Sequence, residues 1–497
     1  MVYGNFATSL LDVASKYPDR PFLVDGNTTW THGDVASLSA KMAGALLANG
    51  VRPGDRVVVQ VEKSPENFAL YLAALRAGAV FVPLNTAYTA DEVAYFLSDA
   101  DPTLFVHAPE TGVSADIVCL TLGTDDKSEG SLLDAAKNAE PSGIVQRRSS
   151  DVAAILYTSG TTGRSKGAML THANLETNAR ALVELWGITD ADVLLHALPI
   201  FHIHGLFVAM HTLMIAGGKV LFHRHFDPDQ VVDDLPNATV MMGVPTFYSR
   251  LLDNKRFNAE TAKDMRLFVS GSAPLTAEAS NAFHKATGHR ILERYGMSEA
   301  GMITSNPLDD TAGRVPGTVG YPLPDVQIRT AGEDDTGEVE IKGPNVFKGY
   351  WRNTEKTAEA FTKDGWFHTG DVGTLSEDGR LSLVGRAKDL IIIGGLNAYP
   401  KEIESVLDAN PAITESAVVG APHPDMGEGV VAFLVPQSDS TSANYPSKEQ
   451  LEEIVAPLAK FKRPRHFVWI DALPRNAMGK VQKQLLRERC KETFGRG

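Results

Sequence analysis

The sequence predicts an α/β protein in three parts. These are a large N-terminal domain of parallel-rich sheets covered by helices, a small β-rich subdomain, and a small α+β C-terminal domain. Three observations carry this expectation. The first third alternates strand and helix signals, which suits a mostly parallel sheet crossed by helices. From about Asp325 the pattern changes to short alternating strands broken by Gly and Asp turns. After Gly385-Arg386 a new strand–helix–strand set begins, so the domain break belongs near 386–389, dividing 1–386 from 387–497. A chain of 497 residues also exceeds what one compact core accommodates.

Each element has a local reason. Residues 33–48 carry a helical pattern that ends at Gly50, a residue suited to a C-cap. Arg56–Val61 reads as a strand, and Ser64 caps a helix running to about Ala77, whose apolar positions recur at three and four. Residues 78–83 return as a strand. Val152–Leu156 is an apolar run that reads as a buried strand, and a helical segment begins at about Ala173. Further strands are predicted at Lys219–Phe222, Val240–Val244 and Arg266–Ser270, and in the β-rich part at Thr336–Gly343. Beyond the break, Leu390–Ile393 is a strand, Pro400–Leu407 a helix and Ser416–Val419 a strand. Ser438–Ser447, rich in Ser, Thr, Asp and Asn, reads as a surface loop.

Composition removes several function classes. Net charge is −14, and the longest basic run is the short Lys460-Phe461-Lys462-Arg463-Pro464-Arg465, so nucleic acid is a poor partner. Cys119 and Cys490 cannot build a disulfide framework or a Cys-based zinc site, and they fit a reducing, cytoplasmic setting. Met1 to Lys16 lacks the charged start and apolar core of a signal peptide, and no stretch approaches 18 uninterrupted apolar residues. No membrane span is expected. His223-Arg224-His225 lacks the spacing and carboxylate support of a metal site and reads as surface histidines.

The segment richest in chemistry is Tyr157-Thr158-Ser159-Gly160-Thr161-Thr162-Gly163-Arg164-Ser165-Lys166-Gly167. A loop of glycines, hydroxyls and a lysine after a strand is how a protein holds a polyphosphate. The glycines let backbone N–H groups turn inward, the hydroxyls donate further hydrogen bonds, and the lysine supplies charge. It is not a Walker loop: counted from Gly160, Ser165 stands where the second glycine belongs, and Gly167 follows Lys166. A flexible polar loop would suit any three of these residues, but not all of them in this order. Here the chain resembles the adenylate-forming superfamily of acyl-CoA synthetases, luciferases and peptide-synthetase adenylation domains.

Further segments extend the resemblance. In Glu293-Arg294-Tyr295-Gly296-Met297-Ser298-Glu299, the resemblance implies one wall of the nucleotide site. Tyr295 would face adenine, Ser298 would donate to the α-phosphate, and Glu299, with Thr162, would meet a Mg²⁺ ion bridging phosphates. The family usually has Thr where this chain has Ser298. Ser270-Gly271-Ser272-Ala273-Pro274-Leu275 resembles the segment that closes over the base. In Gly365-Trp366-Phe367-His368-Thr369-Gly370-Asp371, Asp371 is implied as acceptor for the ribose hydroxyls. In Gly385-Arg386-Ala387-Lys388-Asp389, Arg386 would reach ribose or phosphate and Lys388 would be the hinge. In Pro474-Arg475-Asn476-Ala477-Met478-Gly479-Lys480, Lys480 matches the catalytic lysine, a cation at a transition state that brings two anions together. Gly394-Gly395 would let a pantetheine arm pass the backbone.

The implied reaction has two steps: a carboxylate attacks ATP to give an acyl adenylate and pyrophosphate, then the CoA thiol takes the acyl group and AMP leaves. The acyl pocket is expected from 201–205, with His204 among its residues, from 244–250, and from Gly296-Met297. Arg250, on what reads as a helix start, would bind a second carboxylate bidentately if it points inward. These segments resemble the malonyl-CoA synthetase branch, which names malonate. A short- or medium-chain acyl-CoA synthetase and a methylmalonate-tolerant enzyme remain as alternatives. A carrier-loading adenylation enzyme would need an Asp for its amino acid, and 201–205 and 244–250 contain none. Retention of Lys166, Glu299, Asp371, Arg386 and Lys480 argues against a non-catalytic relative. An essential lysine such as Lys480 would also be a target for an acetyltransferase and deacetylase, since neutralising it removes the needed charge.

Overall fold

The computed structural model describes residues 4–109, 117–123, 129–158, 165–309, 313–332, 336–394, 396–424, 426–437, 445–476, 480–491 and 493–494. They group into two compact units. The first holds residues up to Ser272, Ala279–Gln327 and Ile341–Phe367; the second holds Ala273–Glu278, Ile328–Glu340 and the chain from His368.

Two sheets organise the first unit. In the six-stranded one the order is Val118–Thr121, Leu104–His107, Arg56–Gln60, Val80–Pro83, Val152–Thr158 and Lys166–Thr171. All neighbours are parallel except the last pair. The helix Pro65–Arg76 between Arg56–Gln60 and Val80–Pro83 starts where expected, because the Ser64 side chain accepts from the Asn67 N–H. His32–Ala48 starts at a reciprocal Thr31–Asp34 capping box. Its C-cap is Asn49, with Gly50 next at φ +94°. The nine-stranded sheet runs Tyr321–Pro322, Gly301–Ser305, Leu292–Met297, Leu267–Ser270, Val240–Gly243, Val193–His196, Lys219–Phe222, Pro21–Asp25 and Thr28–Thr31. Its interior is parallel and its edges antiparallel. The helix His172–Leu185 begins one residue before the expected Ala173, but the strand Lys166–Thr171 ahead of it was not anticipated. Its lysine, glycine and hydroxyl composition hides a strand that pairs only because Val152–Thr158 lies beside it.

The second unit contains a four-stranded sheet, Gln327–Ala331, Thr336–Lys342, Phe367–Leu375 and Leu381–Arg386, whose first and third strands each begin with a residue of the first unit. It also contains a sheet ordered Leu396–Ala398, Ile391–Ile393, Gly427–Pro436, Ile413–His423, with His466–Trp469 pairing with Gly427–Pro436. Ile391–Ile393 and Ile413–His423 both run antiparallel to Gly427–Pro436. The expected strand–helix–strand set is therefore split, with one strand inserted between its two strands, and the helix Pro400–Asp408 making the crossover. One face buries Ile403, Leu407, Leu451 and Val455; the other buries Phe433, Leu473 and Leu486. Most of the expected Ser438–Ser447 loop lies outside the described residues; Ser447 caps the helix Lys448–Ile454. No helix among the described residues is long and apolar enough to cross a membrane.

Candidate active site

The residues that flank the candidate polyphosphate loop are paired with each other. Thr158 and Lys166 face each other as the last pair of the Val152–Thr158 and Lys166–Thr171 ladder, so the chain between them leaves and returns at one edge of the sheet. Ser159, Gly160, Thr161, Thr162, Gly163 and Arg164 lie outside the described residues. One helix, Ala90–Ala100, ties both arms: Tyr157 donates to Asp99 at 2.6 Å, and Tyr95 donates to the Ser165 carbonyl at 2.8 Å.

Glu299 comes to the same place from the other sheet. Leu292–Met297 and Gly301–Ser305 pair antiparallel, with Met297 opposite Gly301, which leaves Ser298, Glu299 and Ala300 as the tip of a tight hairpin. Gly301 sits at φ +62°, and a Cβ there would come within 2.7 Å of the Asn178 amide oxygen, so only glycine serves. The buried Glu299 carboxylate accepts from the Thr158 hydroxyl and from the Tyr350 hydroxyl, each at 3.2 Å. The Lys166 ammonium lies 4.4 Å from the centre of the Tyr350 ring. Burial, then the Glu299 charge, pushes the Tyr350 phenol well up, so it stays a donor. Tyr350 escaped sequence reasoning. The visible signal was Gly349-Tyr350-Trp351, an aromatic pair directly before the Asn353 helix cap, and only the fold lays it along Gly167–Met169.

No group of three or more His, Cys, Asp or Glu gathers to hold a metal among the described residues. Glu299 with the Thr158 hydroxyl offers hard oxygen donors instead. A single carboxylate beside a candidate phosphate loop fits Mg²⁺, which keeps waters and takes its other ligands from phosphates.

A second cluster in the first unit surrounds Arg294. Its side chain is 3% exposed, and its Nε and Nη2 atoms have no hydrogen-bond partner. It lies flat on Gly271, where any Cβ would stand 2.2 Å from Nη1. Burial pulls the guanidinium down to about 9, so it remains a cation at neutral pH. His204, fully buried, opens an irregular π-helical turn, His204–Met210; its Nδ1 lies 3.3 Å from the Ser272 hydroxyl, and its Nε2 has no partner. Burial and the Arg294 charge hold His204 neutral, well below the usual imidazole range. Ser272 is held at φ +70°, a strained conformation of the kind found where a side chain is aimed. Tyr295 is buried, and Gly296 has no room for a Cβ against the Gly301 carbonyl. Glu293 is buried and accepts from the Gly317 N–H. Ser298 and Met297 are half-buried.

Arg250 sits elsewhere. It is exposed near the end of the helix Pro245–Leu252 and lies over the Phe226 ring at 5.1 Å. Arg294, which sequence reading had placed with the nucleotide, is a buried cation whose Nε and Nη2 have no hydrogen-bond partner. His223 is only partly exposed and pairs with Asp234 at 2.8 Å, while Arg224 pairs with Asp25 at 3.0 Å.

In the second unit, Asp371 and Arg386 are cross-strand partners, and Arg386 Nε lies 3.1 Å from Asp371 Oδ1. Two separate motifs on consecutive strands thus form one acceptor–donor pair. Lys388 lies exposed in the turn Ala387–Asp389, and desolvation of its ammonium by its surroundings lowers its pKa. Asp389 pairs with Arg487 at 2.7 Å. Lys480 is exposed, and its N–H donates to the Asn476 amide oxygen at 3.0 Å, closing a turn whose middle lies outside the described residues. Gly394 adopts φ +56° and donates to the Met426 carbonyl, between exposed Ile392 and Leu396; Gly395 lies outside the described residues. Ala273 follows Ser272 in the turn after Leu267–Ser270.

Comparison with known proteins gives the family. Residues 10–351 match the family model described as AMP-binding enzyme, and residues 402–480 match the AMP-binding enzyme C-terminal domain. The crystal structure of ATP-bound MatB from Rhodopseudomonas palustris is 47% identical over 99% of both chains, with a TM-score of 0.94. A feruloyl-CoA synthase of Amycolatopsis is 35% identical, over 96% of this chain and 97% of that protein. A mitochondrial malonate–CoA ligase of Mus musculus is 35% identical, over 96% of this chain and 89% of that protein.

Proposed function

The chain belongs to the AMP-binding enzyme family of adenylate-forming acid–CoA ligases, and from that premise we propose that its acid is malonate. The observation that carries this is the buried Arg294 guanidinium with two orphaned N–H groups, beside the orphaned Nε2 of neutral His204. A lone buried cation is costly unless something compensates it. A monocarboxylate spends its one charge on the phosphorus and leaves Arg294 unmatched; a dicarboxylate brings a second charge. Arg294 would take that distal carboxylate, and His204 would donate a further hydrogen bond. Similarity to a malonate–CoA ligase supports the same choice.

In the first half-reaction a carboxylate oxygen of malonate attacks the α-phosphorus of ATP. The P–O bond to pyrophosphate breaks, leaving malonyl-AMP. Lys166 and the loop hydroxyls would bind phosphate, Asp371 would accept from the ribose hydroxyls, and Lys480 would offset the charge gathering on the α-phosphate. Mg²⁺, held by Glu299, would supply further neutralisation of the phosphates when bound. In the second half-reaction the CoA thiolate attacks the malonyl carbonyl and AMP leaves, with Lys388 as the pivot that withdraws Lys480 and with the thiol passing Gly394. Lys480, being exposed, would also be open to reversible acylation.

The test is pyrophosphate release with ATP, Mg²⁺ and CoA across acetate, butyrate, malonate, methylmalonate, succinate and ferulate. Preference for malonate that survives Arg250→Ala and disappears in Arg294→Met is expected. Equal turnover of acetate or butyrate by wild type would refute the malonate assignment and leave an acyl-CoA ligase of other preference.

A further inference from the structure

Lys166 and Glu299 are opposite charges in one corner of the first unit, yet no ion pair joins them; Tyr350 stands between. Its hydroxyl donates to Glu299 at 3.2 Å, and the Lys166 ammonium rests on its ring face, 4.4 Å from the centre. The ring is fixed by its backbone rather than by either charge. Tyr350 bridges Ala168 across a short ladder, and its N–H donates to the Thr357 hydroxyl at 2.9 Å. Trp351 donates to the Gly167 carbonyl at 2.7 Å. Phe347 packs edge-on against the ring and donates its N–H to the Glu299 carbonyl at 2.7 Å. The same short segment therefore grips the lysine strand and the carboxylate turn.

Opposite charges this close, in a partly buried corner, attract strongly enough to neutralise each other. A lysine paired with Glu299 would have to break that pair before it could meet a phosphate, and the carboxylate would have to lose its lysine before it could meet a cation. We propose that Tyr350 is the spacer that prevents this collapse, holding Lys166 on its face and Glu299 on its hydroxyl so that both charges stay separate and oriented. Each hold is weak enough to yield to the substrate, because a cation over a ring and a neutral donor on a carboxylate are modest interactions. Tyr350 is thus a positioning residue. Its role rests on the reading in which Lys166 meets phosphate and Glu299 meets Mg²⁺.

The test measures ATP binding without acid or turnover, by calorimetry on the full chain, in EDTA and in Mg²⁺. Tyr350→Phe keeps the ring and the fold. It should bind ATP like wild type in EDTA and lose about three- to tenfold of the gain that Mg²⁺ gives. Tyr350→Leu removes both holds and should bind ATP about tenfold more weakly even in EDTA, because Lys166 falls onto Glu299. Adding Glu299→Gln to Tyr350→Leu should restore the EDTA affinity, since no anion is left to capture the lysine. A merely structural tyrosine would give no such rescue, so a loss that Glu299→Gln fails to restore overturns the proposal. Unchanged affinity in Tyr350→Leu overturns it too. A wild-type chain that binds no ATP would instead sink the functional reading beneath it.

Discussion

Replacing Arg294 by Met should make the ligand-free protein more stable and the enzyme inactive toward malonate. The fall of the guanidinium from its ordinary range to about 9 corresponds to ~5 kcal/mol of lost preference for the charged form, because 1.36 kcal/mol accompanies each pKa unit. Its depressed value means that the fold works against the cation at every pH below about 9, so neutral pH gives no relief. Methionine follows the same stem across Gly271 without the charge, and imperfect packing returns part of the gain. A net rise of ~1–4 kcal/mol is expected, as when buried charges are exchanged for apolar side chains. The opposite effect falls on the substrate. Losing one partner of a buried charge pair typically removes ~2–5 kcal/mol, roughly 30- to 5,000-fold in kcat/KM for malonate. Thermal melting with and without malonate and AMP, beside pyrophosphate release, reads both effects. Wild type should melt higher when malonate is added, and Arg294→Met should melt high and ignore it. A variant that melts below wild type and still turns over malonate would refute the reasoning.

Other outcomes follow from the same geometry. Lys480→Ala should slow adenylate formation by roughly two orders of magnitude or more, while thioester formation from supplied malonyl-AMP persists, in line with removal of one charge stabiliser from a phosphoryl transfer; equal loss in both half-reactions would contradict that role. Asp371→Asn weakens the carboxylate opposite Arg386 and should raise the KM for ATP about tenfold or more, with the KM for malonate little changed. Gly271→Ala places a Cβ 2.2 Å from the Arg294 side chain and should abolish malonate turnover, which a normal activity profile would disprove. Burial pulls His32 and His172 from 6.5 to about 4 and His211 to about 3. The unfolded chain binds these protons near pH 6.5 and the native fold does not. Stability is therefore full above pH 6.5 and falls as pH drops toward 4, by up to ~1.4 kcal/mol per pH unit for each histidine. Urea midpoints at pH 7.5 and 5 check this, and an unchanged midpoint would count against it.

Local physics made much of the fold legible in the one-dimensional string. Ser64 and the periodicity after it are enough to start a helix, and Val57-Val58-Val59 or Met241-Met242 read as buried strands because hydrophobic runs suit parallel sheets. Tyr157–Gly167 stood out as a candidate phosphate loop because glycines, hydroxyls and lysine in that order have one common use. The strand Lys166–Thr171 was not, because its polar composition gains strand character only from pairing with Val152–Thr158. The partnership of Asp371 with Arg386 is likewise a matter of register: the residues lie on consecutive strands and come opposite each other only once those strands pair.

The acyl site divides the same way. The sequence by itself determined which groups are present: two arginines, two histidines, one loop lysine, one hairpin glutamate and one C-terminal lysine. Tertiary structure alone decided which of them are desolvated. Arg250 and Arg294 are the same residue in composition, yet one lies exposed on Phe226 and the other is buried on Gly271 with orphaned N–H groups. An arginine's chemistry depends on the water left around it, and burial is a property of the packed chain rather than of any segment within it. For the same reason Tyr350, an unremarked aromatic in the string, becomes in the fold the residue between a lysine and a glutamate.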